Sequence, residues 1–300
     1  MENDDKTASL EQSASHEAPL VLKSVDKDII CTDRIQIDCN LPQNTKIEAN
    51  RSIVINGNVG EGCSLTCTSG PIIINGNVYG SADKPVTISS KQYFNANSLC
   101  HAIVKSSGSL TVIEDVVDSK VTVTEMIYIK GSLIRSEAVS NSRIVIRTCG
   151  RDDISGSDDA SSNKLSVMPT EILTLLQKLL KVEAKMGEVA ELIPQLQRTI
   201  DMLKKLRTDL GSLPQDKHEL LVSSVVKFDN LTAESKELEE RKGMLKKEVI
   251  QLMHGNWITV EGGVYPLSVI KIANRSLAIK TSMKNRLRFF VKNNRVEFDS

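Results

Sequence analysis

Large rings are what this chain has least of. Five Phe, four Tyr and one Trp make up only 3% of its 300 residues, which excludes a core organised around aromatic side chains. Net charge is missing too. The 38 Lys and Arg residues balance 38 Asp and Glu, so no global field draws the chain to nucleic acid or to an anionic membrane. No run approaches the roughly 20 apolar residues that cross a bilayer, which excludes a transmembrane helix and membrane insertion through one. The opening Met1-Glu-Asn-Asp-Asp-Lys6 is acidic and polar, whereas a secretory signal needs a basic start and an apolar stretch. The expectation is a cytoplasmic protein. In that setting the six cysteines (31, 39, 63, 67, 100 and 149) read as buried thiols rather than disulfides.

What is present is a repeat. Ser52-Ile-Val-Ile-Asn-Gly-Asn-Val59 returns almost unchanged as Pro71-Ile-Ile-Ile-Asn-Gly-Asn-Val78, with 19 residues between Asn56 and Asn75. Weaker copies start at Ile35, Leu110, Ile127 and Ile258, and a degenerate one near 92–99 fills the double step before Leu110. A fixed period of about 18–19 residues signals a solenoid. Three short strands and three corners fit one such turn, with Ile53 and Ile55 facing in and Val54 facing out. A single rung cannot bury its apolar face alone, so stability comes from neighbours along the column.

An isolated Asn-Gly between apolar runs reads as a hairpin. Its recurrence with the same flanks one period later favours a solenoid corner instead. Positive φ is then expected at the glycine, and Asn56 should stack on Asn75 in an amide ladder. A small sandwich with incidental repetition is the rival fold.

Along the chain, residues 1–28 are rich in Ser, Ala, Glu and Asp and read as a disordered acidic tail. Within them, Ala18-Pro-Leu-Val-Leu-Lys23 suits an edge strand or a cap. Residues 29–150 form the first part of the β-helix, and 151–167 is a polar linker by composition. The period then changes. Ile172, Leu175, Leu179, Val182, Met186, Val189, Ile193, Leu196, Ile200 and Leu203 alternate three and four apart, an unbroken a/d heptad pattern. Pro194 lies inside it and should kink the helix.

Gly211-Ser-Leu-Pro214 reads as a stop and turn. A second run to His254 keeps the spacing through Phe228, Leu231, Leu238, Leu245, Val249 and Leu252, with Ser235 and Lys242 as polar seam positions. Two equal helices on a short turn pack antiparallel, giving an arm about 60 Å long at ~1.5 Å per residue. Residues 168–254 are therefore expected as an antiparallel coiled-coil hairpin. Trp257-Ile-Thr-Val-Glu-Gly-Gly-Val264 restores the rung motif, so 255–300 should be C-terminal rungs and a cap. The fold expected is a right-handed, single-stranded parallel β-helix interrupted by this hairpin.

That combination resembles the flagellar assembly protein A family of bacteria. The resemblance rests on the Ile-Asn-Gly-Asn-Val copies at 55–59 and 74–78, the heptad hairpin at about 170–254, and Val264-Tyr-Pro266 with its following strands. It covers roughly residues 30–300. In the family a glycine commonly follows the Tyr-Pro pair, where this chain has Leu267. The resemblance implies a cytoplasmic scaffold-type role linked to flagellar placement or cell polarity, not an established enzymatic activity, and offers no catalytic residue to carry over.

The residues themselves carry little chemistry. Cys63-Ser-Leu-Thr-Cys67 lacks a second ligand pair, and positions 63, 65 and 67 share one strand face, so core packing is the expectation. Cys100 and His101 are neighbours on a strand, which argues against a nucleophile–base pair. Glu114, Asp115 and Asp118 could form an acidic patch of the kind β-helix enzymes use on polysaccharides, but no matched acid and base accompany them. Lys284-Asn-Arg-Leu-Arg288, with Lys292 and Arg295, is locally basic, either a solvated strand face or a docking patch for an anionic partner. No catalytic, cofactor-binding or metal-ligating residue is expected.

The reading is a non-enzymatic scaffold, with the solenoid as a rigid column and the hairpin as an arm for a protein partner or a second copy. End-to-end self-association is a further expectation. The alternative is a polysaccharide-binding or polysaccharide-processing β-helix, which would need clustered aromatics and carboxylates along one outer face.

Overall fold

A computed structural model describes residues 19–26, 28–151, 162–210, 212–254, 256–293 and 295–300. Most of the expected acidic tail, and 152–161 of the expected linker, lie outside these residues. Contacts divide the chain into two units, Met1–Pro169 with Met253–Ser300, and Thr170–Leu252.

The first unit is a parallel β-solenoid. Ile35, Ile53 and Ile72 lie in register on successive strands, followed by Phe94, Leu110, Ile127, Ile144 and Ile258. All eight are at most 0% exposed, forming one inward column. β-Branched residues favour this arrangement because their stiff side chains pack well on a pleated face. Each buried Ile contributes about 1.5–3 kcal/mol relative to exposure. The alternation is as the repeat implies: Ile53 and Ile55 are buried and Val54 is half-exposed.

Phe94 starts the degenerate rung. The double step therefore divides as 22 and 16 residues (72 to 94, then 94 to 110), not as two equal periods. The extra length sits between Asn77–Tyr79 and Val86–Ser90, around the Ser81 turn.

Leu20–Leu22 is a strand paired in parallel with Arg34–Ile37, so the edge-strand reading of that short apolar run holds. The linker needs correction. Asn163–Val167 is a strand seated in parallel between Glu137–Ser140 and Ser268–Ile272. Its Leu165 and Val167 are buried in the column, and the neighbouring Asn, Lys and Ser made the segment look like a loop.

The corner glycines also differ from expectation. Among the described glycines, positive φ belongs to Gly62 and Gly150, and not to Gly57 or Gly76. A Cβ on Gly57 would lie 2.4 Å from the Cys39 carbonyl oxygen, and one on Gly76 would lie 2.2 Å from that of Gly57. Glycine is required there because the rung beneath comes too close, not because the corner is left-handed. Leu267 is the converse case. It stands at φ 64°, so the position after Tyr-Pro is one that glycine would occupy without strain.

The second unit is built from two helices, α1 (Thr170–Leu210) and α2 (Gln215–His254), the last two residues of α2 falling in the first unit. Helix α1 runs unbroken through Pro194. Val182 and Val189 pack with Leu238 and Leu245, and Ile200 and Leu203 pack with Leu221 near the turn. Early residues of one helix thus meet late residues of the other, an antiparallel pair built from the positions spaced three and four apart.

The strand ladder is continuous across the segment of sequence that carries the helices. Ile144–Cys149 pairs with Ile258–Val264, and Asn163–Val167 pairs with Ser268–Ile272. After these rungs the direction reverses. Arg275–Ile279, Leu287–Lys292 and Arg295–Asp299 all pair antiparallel and close the C-terminal end.

Candidate functional site

The Asn-Gly corners carry two polar ladders along the solenoid. In one, Asn75 Nδ2 donates to Asn56 Oδ1 at 2.8 Å and Asn56 Nδ2 donates to Asp38 Oδ1 at 2.6 Å. In the other, the backbone N–H of Asn58 donates to Asn40 Oδ1, and that of Asn77 donates to Asn58 Oδ1. The amide stacking expected from the repeat is present.

A second polar column stands at the next corner. His101, Asp118 and Arg135 each adopt positive φ, near 47°, 47° and 45°. The Arg135 guanidinium forks onto the Asp118 carboxylate, donating through Nε at 2.7 Å and Nη2 at 2.5 Å. His101 Nε2 approaches the same carboxylate at 3.8 Å. Hydrogen bonding from Arg135, then its charge and that of His101, holds the Asp118 carboxyl below the usual carboxylate range. Sequence reasoning missed this cluster. Its signal was there in the spacing, since 101, 118 and 135 are 17 apart, the local rung step.

The acidic patch expected from Glu114, Asp115 and Asp118 does not assemble as one. Asp118 is committed to Arg135, and Asp115 Oδ1 accepts the Ser132 backbone N–H at 2.6 Å. Cys63 and Cys67 are buried on either side of buried Leu65. Their thiols donate to the carbonyls of Pro42 and Asn50, and burial pushes both upward in pKa. Burial likewise raises the Cys100 thiol, and its neighbour His101 is turned to Asp118 instead. Among the described residues no three His, Cys, Asp or Glu side chains are placed to hold a metal ion.

Two outward columns can be traced through many rungs. One runs Glu48, Thr66, Ser89, Lys105, Thr122, Val139. The other runs Gln36, Val54, Ile73, Asn95, Thr111, Tyr128, Val145, with a single aromatic, and ends at Thr259, which is buried. In the basic C-terminal segment, Arg288 lies over the Trp257 ring at 4.3 Å, and Arg286, Lys292 and Arg295 are exposed.

On the helices, a shallow groove of about 260 Å³ is floored by Val182 and Leu238. Lys178, Lys181 and Lys185 of α1 and Arg241 of α2 rim it, opposed by Glu234 and Glu237. Lys185 pairs with Glu234, which raises the lysine's pKa, and the polar seam residue Lys242 reaches Glu183 at 3.3 Å. No helix among the described residues is long and apolar enough to cross a membrane.

A family model described as the flagellar assembly protein A beta solenoid domain matches residues 29–296. No curated protein and no solved structure matches the chain.

Proposed function

Since the chain belongs to the flagellar assembly protein A family, we propose that it is a non-enzymatic scaffold serving flagellar assembly or cell polarity in the bacterial cytoplasm. The solenoid, wound right-handed as parallel β crossovers are, is its rigid column. The helices α1 and α2 form an antiparallel coiled coil that serves as the arm for a protein partner.

One observation carries the assignment of roles. The rungs on either side of the helices pair with each other directly, so the helices add nothing to the strand ladder. The arm has its own apolar seam, which suits it to present its outer faces to a partner. The outer columns support a scaffold over a polysaccharide-handling surface, because Thr, Ser, Lys and Val dominate them and Tyr128 stands without a companion ring. A sugar-binding face needs stacked rings and convergent carboxylates.

The test replaces 168–254 with a short Gly-Ser linker in cells that depend on this chain. The shortened protein should keep its β-sheet circular dichroism and fail to restore flagellar assembly. Full restoration would show that the arm is dispensable and overturn the assignment.

A further inference from the structure

The two ends of the solenoid are finished differently. At the C-terminal end, antiparallel Leu287–Lys292 continues the inward column with buried Leu287 and Phe289 opposite Val260 and Ile258. The Phe298 ring packs tilted against that of Phe289 with centroids 5.7 Å apart, and the outermost strand exposes Arg295 and Asp299, charges that discourage further pairing. At the N-terminal end neither device is present among the described residues. Leu20–Leu22 and Ile29–Cys31 are the terminal strands of their two sheets. Their inward side chains Leu20, Leu22, Ile29 and Cys31 are only half-buried, whereas Ile35, Ile37 and Ile47 one rung in are 0% exposed.

The backbone at this end is equally unfinished. The carbonyls of Leu22 and Cys31 accept the N–H groups of Asp38 and Asn50 in the neighbouring rung. Strand alternation then turns the N–H and C=O of Val21 and Ile30 toward the open edge. The side chains of both are exposed, at 47% and 54%, and no charged residue stands on either strand. An uncharged, apolar, unpaired edge is a template for another strand.

We propose that two copies of this chain join N-terminal end to N-terminal end about a two-fold axis. The first strand of each copy pairs antiparallel with the second strand of the other. With Val21 opposite Ile30 of the second copy, the two exchange both backbone hydrogen bonds. Leu20 and Leu22 then cover Cys31 and Ile29. The same register sets Lys23 across from Asp28 of the second copy, and symmetry provides that opposite-charge pair twice. The leading segment 1–18 carries Glu2, Asp4, Asp5, Glu11 and Glu17 without β-branched alternation, the composition of neither an edge strand nor an apolar plug. Because the outermost C-terminal strands of the two sheets carry Arg275 and, on the other, Arg295 and Asp299, that end resists further pairing and the product is a dimer and not a filament.

Light scattering on the full chain tests this, with a Val21→Pro, Ile30→Pro double variant and a Lys23→Asp variant beside it. Proline suits both sites, since neither N–H serves the rung ladder. The parent should weigh twice its 33.0 kDa chain mass. The proline variant should weigh one chain with unchanged circular dichroism, and Lys23→Asp should need at least several-fold more protein to dimerise. A parent that stays monomeric at the highest attainable concentration overturns the proposal. So does a dimer that both variants leave intact. A chain that dimerises only after removal of 1–18 would assign the edge to that segment and overturn it as well.

Discussion

Asn75 donates its side-chain amide to that of Asn56, 19 residues earlier, across 2.8 Å. The bond joins equivalent positions on successive rungs, so the exposed corner is locked in register by residues that bury nothing. Replacing Asn56 with Ala removes this bond and the one to Asp38 together. The variant should unfold at lower denaturant than the parent, with an unchanged slope in an equilibrium urea titration, because the compactness of the folded state is not altered.

The glycines beside this ladder should be less forgiving. Gly76→Ala would place a methyl group 2.2 Å from the Gly57 carbonyl oxygen. Backbone must move on both rungs, and a cost of about 1–3 kcal/mol follows from overpacking at a site whose two nearest atoms are backbone. Gly187→Ala on α1 is the control. Nothing lies near its added methyl, so the same substitution should instead stabilise, by about 1 kcal/mol, through helix propensity. Paired thermal melts of the two variants should move in opposite directions.

Leu267→Gly should raise stability. Leucine at φ 64° is held in a left-handed conformation that costs about 1–2 kcal/mol, against which glycine's greater unfolded-state entropy must be set. The net gain is roughly 0.5–1 kcal/mol, visible as a higher melting temperature of the solenoid.

Acid should weaken the solenoid through its carboxylates. Glu137 sits between Lys164 at 2.8 Å and Lys120 at 2.9 Å, and hydrogen bonds from these two, Lys164 first, lower its pKa. Asp118 is lowered by Arg135. A depressed folded-state pKa contributes stability that is present above the unfolded value and lost as pH falls through the folded one. The loss should therefore begin near the ordinary carboxylate values, about pH 4–4.5, and deepen below them. Unfolding midpoints of the parent and Glu137→Gln between about pH 6 and pH 3 check this, and the variant should show the shallower acid decline.

The helical unit should melt by its own rules. Leu238→Ala opens a cavity in the seam beside Val182 and Leu245, at a cost of about 2–5 kcal/mol. Far-ultraviolet circular dichroism at 222 nm should lose its helical component earlier on heating, while the solenoid transition stays in place.

The repeat made much of this fold legible because stacking forces equivalent residues into equivalent environments. Ile53 and Ile72 announce one column, and the three-four spacing from Ile172 to Leu203 announces one seam. What could not be read depended on distances between rungs. The reason for Gly57 lies in the Cys39 carbonyl, 18 positions away, and no local pattern reports that approach. The Arg135–Asp118 pair needed the shortened local step to be known. Asn163–Val167 hid because its strand character comes from neighbours on both sides, not from its own polar flanks.

The direct pairing of Ile144 with Ile258 also bears on how the chain reaches this structure. Left unstructured, the intervening segment would have to close a loop of more than a hundred residues before any contact rewarded it. The helices α1 and α2 form from near neighbours and fold back on themselves, so they can condense first. Once they have, the segments that leave them start close together, and the long closure becomes a short one. The arm that contributes nothing to the finished ladder can thus act as the splint on which its last rungs are set.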